Sequence, residues 1–221
     1  MKIGIITYDH THLKTEQLVA RYSSNRLIKE LHLFAMPFLR RKSRNVIFDH
    51  RPDMTSSVLT KDLAKIKGVF FHSWDGSSPI ADICEFFVIA GAGILDISFA
   101  KGKPIVNAHP GIIPLTRGLD SFKWAIFNGD PIGITIHLID SEVDKGEILK
   151  IAKTPVFPSD TLTSLARRHY ELELDLLTNV IDYLDRREEV KFEEKPPTRR
   201  MDSEREKKLI LKFDKWKERY V

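Results

Sequence analysis

Asn107 and His109 close a short apolar run, Ile105-Val106-Asn107-Ala108-His109, and Pro110-Gly111 follow at once. A run of this kind predicts a buried strand. Side chains alternate across a strand, so the amide and the imidazole point to the same face. Proline and glycine then end the pairing. Two polar groups side by side where an apolar strand stops suit a site better than a core. In open α/β sheets, ligands bind beyond the carboxyl ends of the strands. Downstream come a Pro/Gly-rich loop, a mostly buried helix over Leu119–Asn128 and a second strand over Gly133–Ile139 with Thr135 and His137 on one face. An acidic turn, Asp140 to Gly146, closes the stretch.

The same alternation runs through the rest of the chain. Apolar, β-branched segments at Lys2–Tyr8, Leu33–Pro37, Val46–Phe48, Gly68–His72, Phe86–Ala90 and Ile148–Val156 read as strands. Helical patterns fall at Leu13–Leu31, Ser56–Ile66, Leu95–Ala100 and Thr161–Leu184, the last starting at Ser159 or Asp160. Strands alternating with helices predict an α/β fold: an open, mostly parallel twisted sheet with helices on both faces. Composition shifts after Tyr183. The expected division is a catalytic domain over residues 1–185 and a charged C-terminal extension over 186–221. In that extension Leu209, Phe213, Trp216 and Tyr220 fall on one helical face, which must pack on its own domain or on a second subunit of a homodimer.

Composition narrows the function. The 221 residues, 42% hydrophobic and 30% charged, are those of a soluble globular chain, and no apolar run reaches the roughly 20 residues of a membrane span. The opening strand leaves no signal-peptide pattern, and a lone cysteine, Cys84, allows no internal disulfide; both fit the cytoplasm. A net charge of +4 attracts anionic ligands without demanding nucleic acid. The histidines lack metal-ligand spacing and no nucleophile elbow is present, so neither a zinc site nor a Ser-His-Asp hydrolase is expected.

Several motifs stand in order at defined separations: Asn-x-His-Pro-Gly-x-x-Pro from Asn107, Gly118-Leu119-Asp120, Gly-Asp-Pro-x-Gly-x-Thr-x-His-x-Ile-Asp from Gly129, and Val-Asp-x-Gly-x-Ile from Val143. Together they resemble the catalytic core of the folate-dependent formyltransferases, which act on glycinamide ribonucleotide, methionyl-tRNA or nucleotide-linked sugars. The resemblance implies 10-formyltetrahydrofolate as cosubstrate, no metal, and Asn107, His109 and Asp144 as catalytic residues. Formyl transfer to an amine passes through an oxyanion. The Asn107 amide would donate to that oxygen, His109 would take the amine's proton or share the oxyanion, and Asp144 would orient His109. It also implies a folate site built from Gly91-Ala92-Gly93, Ile139 and Asp140. Arg117 would bind the folate tail or an acceptor phosphate, or tie down its loop.

The acceptor has to be read from what surrounds this core. A tRNA enzyme needs a further RNA-binding domain of roughly a hundred residues, and the stretch after Asp182 is too short for one. The glycinamide ribonucleotide enzymes carry a glycine-rich turn after the first strand, where this chain has Asp9-His10-Thr11-His12. A sugar-nucleotide N-formyltransferase fits, its acceptor a 4-amino-4,6-dideoxy sugar of the kind used in lipopolysaccharide O-antigen biosynthesis. His10, the basic Arg40 and Arg41, and Trp74 are weaker candidates for contacts to a sugar nucleotide; solvated loops and a core Trp are the bland alternatives. The competing functions are a glycinamide ribonucleotide formyltransferase, a formyltetrahydrofolate hydrolase and a folate-binding protein without catalysis.

Overall fold

The computed structural model describes residues 1–38, 45–93, 95–140, 146–190 and 192–221. Seven strands form one sheet: β1 (Lys2–Tyr8), β2 (Glu30–Met36), β3 (Val69–Ser73), β4 (Phe86–Ile89), β5 (Ile105–His109), β6 (Gly133–Leu138) and β7 (Ile148–Lys153). Their order is β3-β2-β1-β4-β5-β6-β7. The first five run parallel, while β6 pairs antiparallel with β5 and β7 antiparallel with β6. The expected open, mostly parallel α/β sheet is the observed one.

Strand alternation explains the two cores. Ile3 and Ile5 of β1 face one side with Leu33, Val88, Val106, Ile134 and Ile136, and are covered by α1 (Leu13–Ser23) and α3 (Leu162–Thr178). Ile6, Phe34, Phe87, Ile89 and Ile105 face the other, under Trp74, Ile80 and the short 3-10 turn Ile97–Ala100. Gly4 sits between two rings on this second face. A Cβ there would lie 2.3 Å from the Phe87 ring, so only glycine fits the strand at this point.

Several helical expectations were too long, among them Leu95–Ala100, which holds only the 3-10 turn Ile97–Ala100, and Thr161–Leu184, helical over Leu162–Thr178, and one strand is missing. α1 ends at Ser23, where Ser24 and Asn25 turn their backbone N–H groups onto Arg21 and Tyr22, instead of continuing to Leu31. Ser and Asn compete locally with helix hydrogen bonds. Ser56–Ile66 contains only a 3-10 turn, Thr60–Lys65. Val46–Phe48 is not a strand: Ile47 N–H donates to the Glu206 carboxylate at 2.6 Å, so a side chain takes the place of a neighbouring strand. α3 starts on a capping box between Thr161 and Ser164, one residue beyond the expected cap.

α2 (Ser121–Asn128) and α4 (Ser203–Lys217) pack together beside α3. Leu209, Phe213 and Trp216 of α4 are buried against Phe122, Ala125, Ile126 and Leu165, which settles the C-terminal apolar face onto its own chain. Lys123 and Glu206 form a fully buried ion pair, 2.5 Å long, between α2 and α4. No helix among the described residues is long and apolar enough to cross a membrane.

Candidate functional site

The strand order reverses between β1 and β4, and such a switch point opens a crevice beyond the carboxyl ends of the two strands. The turn after Tyr8 and the turn after Ile89 flank that switch point, with the end of β5 beside it. Asn107 and His109 are therefore presented where the topology leaves room for a ligand. Their registry partners across the antiparallel pair are His137 and Thr135.

Hydrogen bonding fixes the state of each group. Nδ1 of His137 lies 3.1 Å from the Leu138 carbonyl, which can only accept, so Nδ1 carries the proton. The bare Nε2 of His137 then accepts from the Asn107 amide nitrogen at 3.1 Å. This orients the Asn107 amide and leaves its second N–H to donate elsewhere. For His109, Nε2 lies 2.9 Å from the Thr116 carbonyl and 3.1 Å from Ser121 Oγ. Ser121 donates its own hydrogen to the Gly118 carbonyl, so its oxygen accepts. Nε2 of His109 therefore keeps its proton. Gly111 permits this: a Cβ there would lie 2.5 Å from the Thr116 oxygen and 2.8 Å from His109 Nε2. Thr135 braces the same loop, donating to the Gly111 carbonyl and accepting from Ile113 N–H.

Beyond β1, His12 is the first residue before α1, and its Nδ1 bonds Thr15 Oγ1 at 2.8 Å. Burial, then the charges of Lys14 and Arg51, lower its pKa to about 4. Lys14 is itself buried on Glu173, 2.6 Å away, and Arg51 reaches the other Glu173 oxygen at 3.0 Å. Burial alone would raise the Glu173 carboxyl, but Arg51 and Lys14 hold it down at about 2. His169, on the same helix, bonds Thr154 Oγ1 and the Pro110 carbonyl beside the site strand, and burial lowers its pKa to about 4.

Half-buried apolar side chains of Ala92, Leu95, Ile97 and Ile139 pack on the edge of the second core beside this crevice. At Gly93 a Cβ would meet nothing within 4 Å. Apolar flanks beside open backbone have the chemistry a flat heteroaromatic ring needs. Gly91 differs from Gly93. Its small size serves the chain itself, since a Cβ would lie 2.7 Å from the Tyr8 ring and 2.9 Å from His12. Asp140 is exposed at the end of this flank. Among the described residues no three His, Cys, Asp or Glu side chains form a metal-ligand set.

Other expected residues are elsewhere. Asp144, Arg40 and Arg41 lie outside the described residues. Trp74 is core, not a stacking surface: it is buried edge-on against Phe99 and Phe34, and its indole N–H donates to the Ser78 carbonyl. Arg117 is buried with its guanidinium on Glu194 and the Lys195 carbonyl, so of its possible roles the loop tie is the one seen. His10 is exposed at the crevice mouth, tilted over Phe38. Thr116, Ser121 and the Lys14–Glu173–Arg51 set were not expected. A threonine carbonyl carries no sequence signal, and the ion set joins residues over 100 apart.

Residues 94–181 match the family model described as formyl transferase. A phosphoribosylglycinamide formyltransferase of Haemophilus influenzae is 38% identical over 104 residues, covering 45% of this chain and 49% of that enzyme. The matched stretch is thus about half the length of this curated relative. A sugar N-formyltransferase from a Shewanella species superposes with a TM-score of 0.60 at 20% identity, over 96% of this chain and 87% of its own. A formyltransferase from Anoxybacillus kamchatkensis, solved with UDP-4,6-dideoxy-4-formamido-L-AltNAc and tetrahydrofolate, gives 0.56 at 19% identity, over 98% and 94%. At these identities the superpositions speak for the fold. The segment that matches in sequence is the one that holds Asn107, His109 and the β5–β6 pair, so residues 94–181 are similar to the formyl transferase family over the part of the chain that carries the candidate site.

Proposed function

We propose that this chain moves a formyl group from 10-formyltetrahydrofolate to the primary amine of a nucleotide-linked amino sugar, a 4-amino-4,6-dideoxy sugar in the first instance. The neutral amine attacks the formyl carbon, and the carbonyl electrons move onto oxygen. The second N–H of Asn107, held in place by His137, donates to that oxyanion. His109 takes the proton from the new ammonium, and the folate nitrogen leaves as the carbonyl re-forms and is protonated in turn. Asp144, in the acidic segment Asp140 to Gly146 of the sequence, orients and supports His109 in this reading. The apolar flank of Ala92, Leu95, Ile97 and Ile139 receives the pterin beside the open backbone of Gly93.

The observation that carries the acceptor is the turn after β1. No glycine stands between Tyr8 and Leu13, and His12 and Lys14 turn inward onto Thr15 and Glu173. This leaves no glycine-built backbone cradle for a ribose phosphate. The likeness in fold to enzymes solved with sugar nucleotides supports the same choice. The sequence match to a phosphoribosylglycinamide formyltransferase favours a second acceptor, glycinamide ribonucleotide. Turnover with 10-formyltetrahydrofolate and a panel of UDP- and dTDP-linked amino sugars, alongside glycinamide ribonucleotide, separates the two. Higher kcat/KM for the ribonucleotide would overturn the sugar reading, and water as the only acceptor would make the chain a hydrolase.

A further inference from the structure

We infer that the C-terminal strap, residues 194–202, is part of the catalytic apparatus: through Thr198 it positions His109 by clamping the loop from Thr116 to Ser121. The inference rests on the reading of His109 given above. Thr198 N–H donates to the Arg117 carbonyl at 2.8 Å, and Leu119 N–H donates to the Thr198 carbonyl at 2.9 Å. The Thr198 hydroxyl lies 2.8 Å from the carbonyl oxygens of both Arg117 and Leu119. Either side of it, Glu194 holds the Arg117 guanidinium at 2.7 Å, while Arg200 and Met201 N–H hold the buried Asp120 carboxylate at 3.0 Å each. The backbone at Arg117 and Leu119 and the carboxylate of Asp120 are thus pinned by a segment about 80 residues away.

The clamped loop is what faces the histidine. Thr116 supplies the carbonyl, and Ser121 the hydroxyl, that together keep the proton on Nε2. Gly118 is where the strap comes closest. It sits at φ +88°, and a Cβ would lie 2.4 Å from the Thr198 oxygen, so the approach needs glycine on both counts. Asp120, the residue before α2, has φ +56° and gives its carboxylate to the strap rather than to the helix N–H groups it could cap. A non-glycine residue held at positive φ needs its surroundings to hold it there. The strap does so. Without it the loop relaxes, the Thr116 carbonyl moves off Nε2, and the proton of His109 is no longer held on Nε2 alone.

The test compares Thr198→Val and Thr198→Ser in the full chain. Valine keeps the backbone bonds and shape but loses the hydroxyl; serine keeps the hydroxyl. We expect Thr198→Val to lower kcat about 10-fold with KM for the folate donor unchanged, and Thr198→Ser to retain wild-type turnover. The readout a purely structural role would not move is the tautomer of His109, followed by its imidazole nitrogen NMR shifts. Wild type and Thr198→Ser should show a single Nε2–H form, and Thr198→Val a mixture. An unchanged single tautomer in Thr198→Val, with thermal melting showing a folded chain, overturns the inference. Should Thr198→Val fail to fold, Arg200→Met removes one strap contact to Asp120 and is read the same way. The NMR arm needs no substrate, so it decides the strap's role even if formyl transfer itself is not observed.

Discussion

Asn107 and His137 face each other across the antiparallel β5–β6 pair, and the amide nitrogen of one lies 3.1 Å from the bare Nε2 of the other. His137 reads the asparagine's orientation: with its Nδ1 proton committed to the Leu138 carbonyl, it accepts only from a donor. His137→Ala removes that constraint while leaving Asn107 in place. We expect kcat to fall by about 10-fold, less than for Asn107→Ala, and the two losses to be less than additive in the double variant. Equal and additive losses in steady-state turnover would show that the two side chains act separately.

Asn107→Ala, His109→Ala and Asp144→Ala should each lower kcat by about 10²-fold or more with the fold retained. Wild-type-like turnover of any one of them under saturating acceptor removes that residue from the mechanism. If His109 is the base, turnover also falls toward acid pH, because the imidazolium has no lone pair.

Gly111→Ala tests how closely the loop fits the imidazole. The added methyl would meet the Thr116 carbonyl at 2.5 Å and His109 Nε2 at 2.8 Å, and one of them must move. Turnover should drop at least about 10-fold. A parallel loss of melting temperature is expected from the displaced backbone, and an unaltered kcat would show that His109 tolerates the shift.

Acid should loosen this fold over a definite window. His12 and His169 take protons near pH 6.5 when exposed, but their pKa values in the folded chain are about 4. The unfolded chain therefore binds more protons between these values. The stability tied to the neutral rings is fully present above about 6.5 and is lost as pH falls to about 4, on the order of 3 kcal/mol for the buried His169. Melting curves across this range should decline for wild type and flatten for His169→Gln; identical slopes would remove His169 from the effect.

The Lys14–Glu173–Arg51 set should behave as one unit. Glu173→Gln leaves the buried Lys14 ammonium without its counter-charge, a change that costs about 3–5 kcal/mol at neutral pH. Replacing both partners, Lys14→Met with Glu173→Leu, should restore much of that. Denaturant midpoints for the single and double variants check the coupling, and a double variant as unstable as Glu173→Gln would deny it.

What could be read from the chain depended on the range of the interaction. β5 was legible because a local apolar run meets Pro110-Gly111, and α4 because Leu209, Phe213 and Trp216 recur at helical spacing. The partners of Arg117 were not legible, because Glu194 is 77 residues away and only the fold brings them together. Trp74 misled for a related reason. Its Asp-Gly neighbour marks a turn, but the indole folds back under Phe99, whose position depends on the 3-10 turn after β4. The Val46–Phe48 segment had strand composition but no available strand edge, and Glu206 took up the Ile47 N–H.

The antiparallel pairing of β5 with β6 has a consequence for how the site is assembled. Asn107 and His137 are 30 residues apart, so their contact closes a short loop of chain. The Arg117–Thr198 contacts close one of 81 residues. Loop closure costs more entropy the longer the loop, and distant contacts are the slower to form. The same asymmetry governs partial opening of the native state, since a locally held strap can come away at less than the cost of global unfolding. Mild denaturant should thus loosen the loop around His109 before it reaches the sheet, with the strands still paired when the strap has come away.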